Sequence, residues 1–311
     1  MARFARLGCS TKLVTLPLLC AATVAACSST TVQTVFTGSA TTRIAPASKP
    51  HPDKGGGAAN PGTGSADRPG HTTPAKPAST TTRPPVVAPS LPLTGKVVGV
   101  DPGHNGLNYT DPSFINHLIW NGRNWETCNT TGTETDGGYT EAQFNFNVAT
   151  YLAADLRAEG AEIVLTRHNN DGVGPCVTTR AAIIDHSHAD VAIAIHADGG
   201  PADGRGVAIL EPVADGPNDH VIAASQKFGH DVLESYRSLT GMPDSTYDGT
   251  DGVVFRDNLA GLNLTTVPEV FIESGNMRNA IDAARLVQPS FQRLAAQALA
   301  QAITRFLTGR T

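Results

Sequence analysis

Long apolar runs are missing from this 311-residue chain once residue 26 is passed. None reaches the ~20 residues that a membrane-spanning helix needs. Basic clusters are missing from the larger part of the chain as well. Residues 1–92 carry nine Lys or Arg and two acids, whereas residues 93–311 carry fourteen Lys or Arg and twenty-six acids. An acidic region without a basic block argues against nucleic-acid binding, which relies on Lys and Arg to neutralise phosphates. Cysteine is scarce, with five in all and no CxxC pair, so a metal knuckle of that kind is excluded. No HExxH is present, and no internal repeat. Aromatic and branched apolar residues are sparse over 28–92, where Thr, Ser, Pro, Ala and Gly dominate. Such a segment cannot bury enough surface to order its backbone, so it reads as a tether and spacer.

What is present begins with an address. Residues 1–12 carry three positive charges, and residues 13–26 are apolar but interrupted by Pro17. These are the two regions of a secretory signal. Val24-Ala25-Ala26-Cys27 follows. Small residues before a Cys at that point resemble the bacterial lipoprotein box, which makes 1–27 a lipoprotein-type signal and Cys27 the lipidated first residue of the mature chain. Ordinary cleavage nearby is the alternative. Either route exports the protein to the cell envelope. The lipid would hold it on the outer face of the cytoplasmic membrane; without it the protein is periplasmic or secreted. Cys9 and Cys20 leave with the signal, so Cys128 and Cys176 are the only pair left in the domain. Export makes a disulfide between them the expectation, against two free thiols.

Residues 93–311 are long enough for one domain with a sizeable core. Short apolar runs at 96–101, 161–167, 191–196, 206–212 and 267–272 read as strands. Helical patterns cover 141–158, 177–188, 218–239 and 279–309, the last broken at Pro289. In the first of these, Phe144, Val148, Leu152 and Leu156 make one stripe behind a Thr140 cap. Residues 105–139 are rich in Asn, Gly, Thr and Asp and read as a long surface loop. Alternating strands and helices predict an α/β fold, with an open, mostly parallel sheet covered by helices on both faces. Ligands in such sheets sit outside the carboxyl ends of the strands.

Three strands run into reactive residues: His104 after Asp101-Pro-Gly, His196 at the end of Val191–His196, and Glu273 after Val267–Ile272. Glu141 opens the first helix. Two His and one Glu form a ligand set for a catalytic zinc, with a fourth position left for water. A second Glu could take the proton from that water. Singly, a His after a Pro-Gly turn is more often a cap, and a Glu at a helix start more often answers the helix dipole. Their joint occurrence is what carries the reading.

Asp101-Pro-Gly-His104, Glu141, Val164-Leu-Thr-Arg167, Arg180, Ala189-Asp190, Ala194-Ile-His196-Ala197, Gly206-Val207 and Val270-Phe-Ile-Glu273-Ser-Gly-Asn276 occur in this order. Together they resemble the zinc-dependent N-acetylmuramoyl-L-alanine amidases of the type-3 group, above all the single-domain mycobacterial-like members. The resemblance covers 96–308. It implies an open sheet of about six strands and one Zn2+. It places the zinc ligands on His104, Glu141 and His196 and the catalytic glutamate on Glu273. It implies hydrolysis of the amide between the lactyl group of N-acetylmuramic acid and L-alanine in peptidoglycan or muropeptides. A monomer is expected, with membrane contact only through the lipid and with an activator protein left open as a partner.

The sequence departs from the family pattern at Asn105-Gly106, Ile184-Asp185 and Asp198, none of them a metal position. Asp198 adds a negative charge near the site. His168, His186, His188, His220 and His230 are expected to be solvated or capping. Arg180 and Glu269 are expected to be structural. Glu126 and Glu134 lie in 105–139, where some relatives carry a longer inserted lid. A zinc peptidase acting on stem peptides and a non-enzymatic peptidoglycan-binding lipoprotein are the competing readings. The second usually lacks one of the four site residues, and all four are present here.

Overall fold

The computed structural model describes residues 90–214 and 216–310. The expected signal with Cys27, and the tether up to residue 89, lie outside the described residues. Leu93 is the first buried side chain of the described chain.

The elements in order are β1 (Val97–Pro102), α1 (Pro112–Ile115), β2 (Leu118–Trp120), β3 (Trp125–Thr127), α2 (Glu141–Ala158), β4 (Glu162–Leu165), α3 (Val177–His186), β5 (Val191–Asp198), β6 (Ala208–Pro212), α4 (Ile222–Thr240), β7 (Val253–Arg256), α5 (Ala260–Leu264), β8 (Glu269–Asn276), α6 (Ala280–Leu286) and α7 (Pro289–Thr308). Six strands form one sheet in the order β4-β1-β5-β8-β6-β7. β4, β1, β5 and β8 are parallel to one another, β6 is antiparallel to β8, and β7 is parallel to β6.

The near-continuous apolar sequence of β5 follows from its central place, with both of its faces covered. Val191, Ile193 and Ile195 point to one face, packing with Phe144, Val148 and Leu152 of α2 and with α4 and α7. The α2 stripe is fully buried, which stabilises the fold by ~1.5–3 kcal/mol per side chain. Thr140 caps this helix, its hydroxyl accepting from the Gln143 N–H. On the opposite face Ala192 meets Ile184 of α3, and Ala194 and Phe271 meet Leu262 of α5. This face has the shorter helices, so its carboxyl end is left open.

The structure corrects three sequence expectations. Residues 105–139 are not a plain surface loop: they hold α1 and the antiparallel β2–β3 hairpin. Local side-chain bonds order this segment in place of a periodic apolar face. Asn108 Nδ2 donates to the Thr130 carbonyl at 2.7 Å, and Asn129 Nδ2 donates to the Pro175 carbonyl at 2.7 Å. A Cys128–Cys176 disulfide ties the segment to the start of α3, as the cysteine count led us to expect. β7 and α5 are additional elements, each too short to show a periodicity. β5 and β8 do not stop at His196 and Glu273 but run on to Asp198 and Asn276.

Candidate metal centre and catalytic glutamate

β1 delivers His104 through the turn Asp101-Pro102-Gly103. His104 itself has φ 57°, left-handed and costly for a side-chain-bearing residue. The turn is clamped by two buried arginines. Arg180 Nη1 donates to Asp101 Oδ1 at 2.5 Å and to the Pro102 carbonyl at 2.8 Å, and Nη2 donates to the His104 carbonyl at 2.6 Å. Arg167 donates to the carbonyls of Pro102, Gly103 and Ala142 at 2.8, 3.1 and 2.9 Å. Burial opposes the Asp101 charge, but Arg180, the Thr166 hydroxyl and His196 together outweigh it and hold this carboxyl below its usual range. Burial, with Arg180 nearby, lowers Arg167 to about 9.

β5 and β8 are neighbours, and His196 and Glu273 are register partners on the same face. The His196 ring stacks on Phe271, with centroids 5.4 Å apart and planes 5° from parallel. Gly103 allows that ring to sit where it does, because a Cβ there would lie 2.2 Å from His196 Cε1.

Glu141, at the first turn of α2, reaches both histidines. Its Oε2 is 3.1 Å from His104 Nε2 and its Oε1 2.8 Å from His196 Nδ1. Backbone N–H groups of Thr133 and Ala197 donate to the same carboxylate at 3.0 and 3.2 Å. Burial opposes its ionisation, but His104 and His196 outweigh burial and hold it well below the carboxylate range. His104 Nδ1 is 3.2 Å from the Thr130 carbonyl. The Thr130 hydroxyl is 3.1 Å from the same nitrogen, so Thr130 orients the ring and leaves Nε2 facing Glu141. Ligand atoms of His104, Glu141 and His196 all lie within 4.8 Å of one another.

Glu273 stands beside this triad and is not part of it. Its Oε2 is buried and has no hydrogen-bond partner among the described residues. Burial, then the charges of Glu141 and Asp198, push its carboxyl well above the usual range, and Arg256 pulls the other way. All four residues line one cleft of ≈ 320 Å³.

Residues 98–305 match the family described as N-acetylmuramoyl-L-alanine amidase. The chain belongs to this family. N-acetylmuramoyl-L-alanine amidase Rv3717 of Mycobacterium tuberculosis is 35% identical over 222 residues, which covers 69% of this chain and 88% of the relative. The crystal structure of the amidase Ami1 from Mycobacterium smegmatis superposes with a TM-score of 0.66 at 34% identity, covering 70% of this chain and 99% of that one. The apo structure of Ami1 from Mycobacterium abscessus gives 0.65 at 38% identity, covering 69% and 99%. The six-stranded α/β sheet is the fold these amidases share.

Most other sequence candidates lie away from this cluster. His168, His186, His188, His220 and His230 are all exposed. Glu126 Oε1 accepts from the Ala260 N–H at 3.2 Å, tying the hairpin to α5. Asp198 does line the cleft, its Oδ2 accepting from the Tyr247 hydroxyl at 2.7 Å. Sequence reasoning missed Thr130, Thr133 and Arg256. The first two lie in the period-free segment and the third on a four-residue edge strand, so no pattern marked them.

Glu269 shares a face with Glu273 four residues along the same strand but is 2% exposed, and neither of its oxygens finds a hydrogen-bond partner among the described residues. Burial pushes its carboxyl from the ordinary 4.5 up to about 8. Between those values the folded state holds a proton that the unfolded chain releases, so stability falls as pH rises through this window. The loss from pH 5 to pH 7 is roughly 3 kcal/mol at ~1.4 kcal/mol per pH unit. Glu269→Gln removes the titration and is expected to flatten that part of the profile. Urea midpoints of both proteins at pH 5 and pH 7 measure it. A wild-type-to-variant difference independent of pH would contradict a neutral Glu269.

Proposed function

We propose that the chain hydrolyses the amide between the lactyl group of N-acetylmuramic acid and L-alanine of the peptidoglycan stem peptide, with one zinc ion held by His104, Glu141 and His196. Family membership supports the reaction class. The donor set supports the metal: two imidazole nitrogens and a carboxylate, already turned toward one point by Thr130, Thr133 and Ala197. Zinc in such a set supplies a water acidified toward ~7 and a Lewis acid for the amide carbonyl.

The remaining steps belong to the protein. Glu273 accepts the proton of the attacking water through its unpartnered oxygen. Its raised proton affinity lets it hold that proton and then release it to the departing alanine nitrogen. Two carboxylates in one cleft thus take two roles, Glu141 as the ionised ligand and Glu273 as the acid–base. The observation that carries this reading is the convergence of His104, Glu141 and His196 beside a fourth, uncommitted glutamate.

Export through the 1–27 signal, lipid attachment at Cys27 and a monomeric state complete the proposal. The charged n-region, the apolar h-region and the small residues before Cys27 support the first two. The full chain, zinc-loaded and incubated with N-acetylmuramoyl dipeptide, is expected to release a free peptide beginning with L-alanine. Mass spectrometry reads the product. A cut inside the peptide would replace this reading with a peptidase, and no product with no zinc bound would replace it with a binding lipoprotein.

A further inference from the structure

We propose that Arg256 is a specificity-determining residue for this reaction, its guanidinium receiving a free carboxylate of the stem peptide on the leaving-group side of the scissile amide. The proposal rests on the amidase reading above and names the part of the substrate that the cleft selects.

Arg256 closes β7, the outer strand of the sheet, and its half-buried side chain lines the same cleft as His196 and Glu273. Its Nε donates to Asn258 Oδ1 at 2.8 Å. No carboxylate lies within ion-pair distance of it among the described residues. The other arginines around the site are committed. Arg180 holds Asp101 and the turn carbonyls, Arg167 holds the backbone carbonyls of Pro102, Gly103, Ala142 and Asn169, and Arg278 pairs with Asp136 at 2.9 Å. Arg256 therefore keeps two terminal nitrogens available in a cleft whose acidic groups are Glu141, Asp198 and Glu273. A planar guanidinium fixed by one nitrogen and open at the other two suits a bidentate carboxylate.

The sheet order says which half of the substrate would meet it. In the order β5-β8-β6-β7, Arg256 lies beyond Glu273 from His196. Glu273 delivers its proton to the departing alanine nitrogen, so the peptide leaves on the Glu273 side. Arg256 thus faces the peptide and not the sugar. A stem peptide whose second residue is a D-glutamate linked through its side-chain carboxyl keeps a free α-carboxylate one residue beyond that nitrogen. This is the group the geometry assigns to Arg256. Amidation of the same carboxyl leaves only a neutral carboxamide, which removes the charge and one acceptor.

The test uses the full chain, zinc-loaded, as wild type, Arg256→Gln and Arg256→Lys. The substrates are two muramoyl peptides that differ only in carrying the D-glutamate α-carboxylate or its carboxamide. The wild type is expected to prefer the carboxylate by about 10-fold or more in kcat/KM, expressed in KM, the size of a charge-assisted hydrogen bond. Arg256→Gln should abolish the preference by weakening the carboxylate substrate alone. Arg256→Lys should keep part of it, as a point charge without the fork. Arg256 also bears on the proton affinity of Glu273, but that effect acts on both substrates alike and cancels in their ratio. An Arg256→Gln variant that slows both substrates equally would overturn the assignment. So would a wild type that cuts both without preference. A wild type that cuts neither would overturn the amidase reading, and the assignment with it.

Discussion

Glu273→Gln is expected to keep the metal and lower the rate of amide hydrolysis by ~10²–10⁴-fold, the usual loss when a positioned acid–base group is removed. Glu273 is the register partner of His196 yet contributes no atom to the converging set of His104, Glu141 and His196. Metal content by elemental analysis should therefore match the wild type. Thermal stability should not fall, because the substitution removes a carboxyl whose charged form is disfavoured by burial and by the charges of Glu141 and Asp198. A variant with a rate within ten-fold of wild type would remove Glu273 from the mechanism. A variant that lost its metal would instead place Glu273 among the ligands.

Arg180→Met is expected to destabilise the fold by roughly 3–5 kcal/mol, the cost of stranding one partner of a buried ion pair. Arg180 is 2% exposed and Asp101 6% exposed, so water cannot replace the lost partner. The loss reaches the site as well. Arg180 Nη2 holds the His104 carbonyl at 2.6 Å, and His104 sits in a left-handed conformation that needs its surroundings to hold it. Zinc affinity should fall ~10–100-fold, as when other groups that orient metal ligands are removed. The double variant Asp101→Asn with Arg180→Met should recover part of the stability, since no charge is then left unpaired. Urea unfolding and competition with a chelator measure the two effects. A single variant within about 1 kcal/mol of wild type would show that Arg180 is not the clamp.

The alternation of strands and helices was legible because its signals are local. Val191–His196 reads as a buried strand from six consecutive residues, and the α2 stripe from four residues spaced by one turn. The elements that escaped have no such signal. β7 and α5 span four and five residues. The segment from 105 to 139 is ordered by Asn side chains bonding to distant carbonyls and by a disulfide, neither of which leaves a periodic trace. His104, His196 and Glu273 could be nominated from their positions at strand ends, Glu141 from the start of a helix, and all four from family motifs. Their convergence could not, because it depends on β5 lying beside β8 and on the first turn of α2 reaching over to meet them.

Composition and pattern alone determined the α/β class, the low-complexity stretch ahead of the domain and the acidic character of the domain; the order of the motifs added the resemblance to an amidase family. The division of labour among its carboxylates was decided only by tertiary structure. Glu141, Glu269 and Glu273 are the same residue type, and nothing adjacent in sequence distinguishes their chemistry. Folding places Glu141 against two histidines and lowers its proton affinity. It buries Glu269 in the interior and raises it. It sets Glu273 beside Glu141 and Asp198, raising it again. A carboxyl titrates according to the water it loses and the charges brought within a few ångströms of it, and both are set by residues far away in the chain.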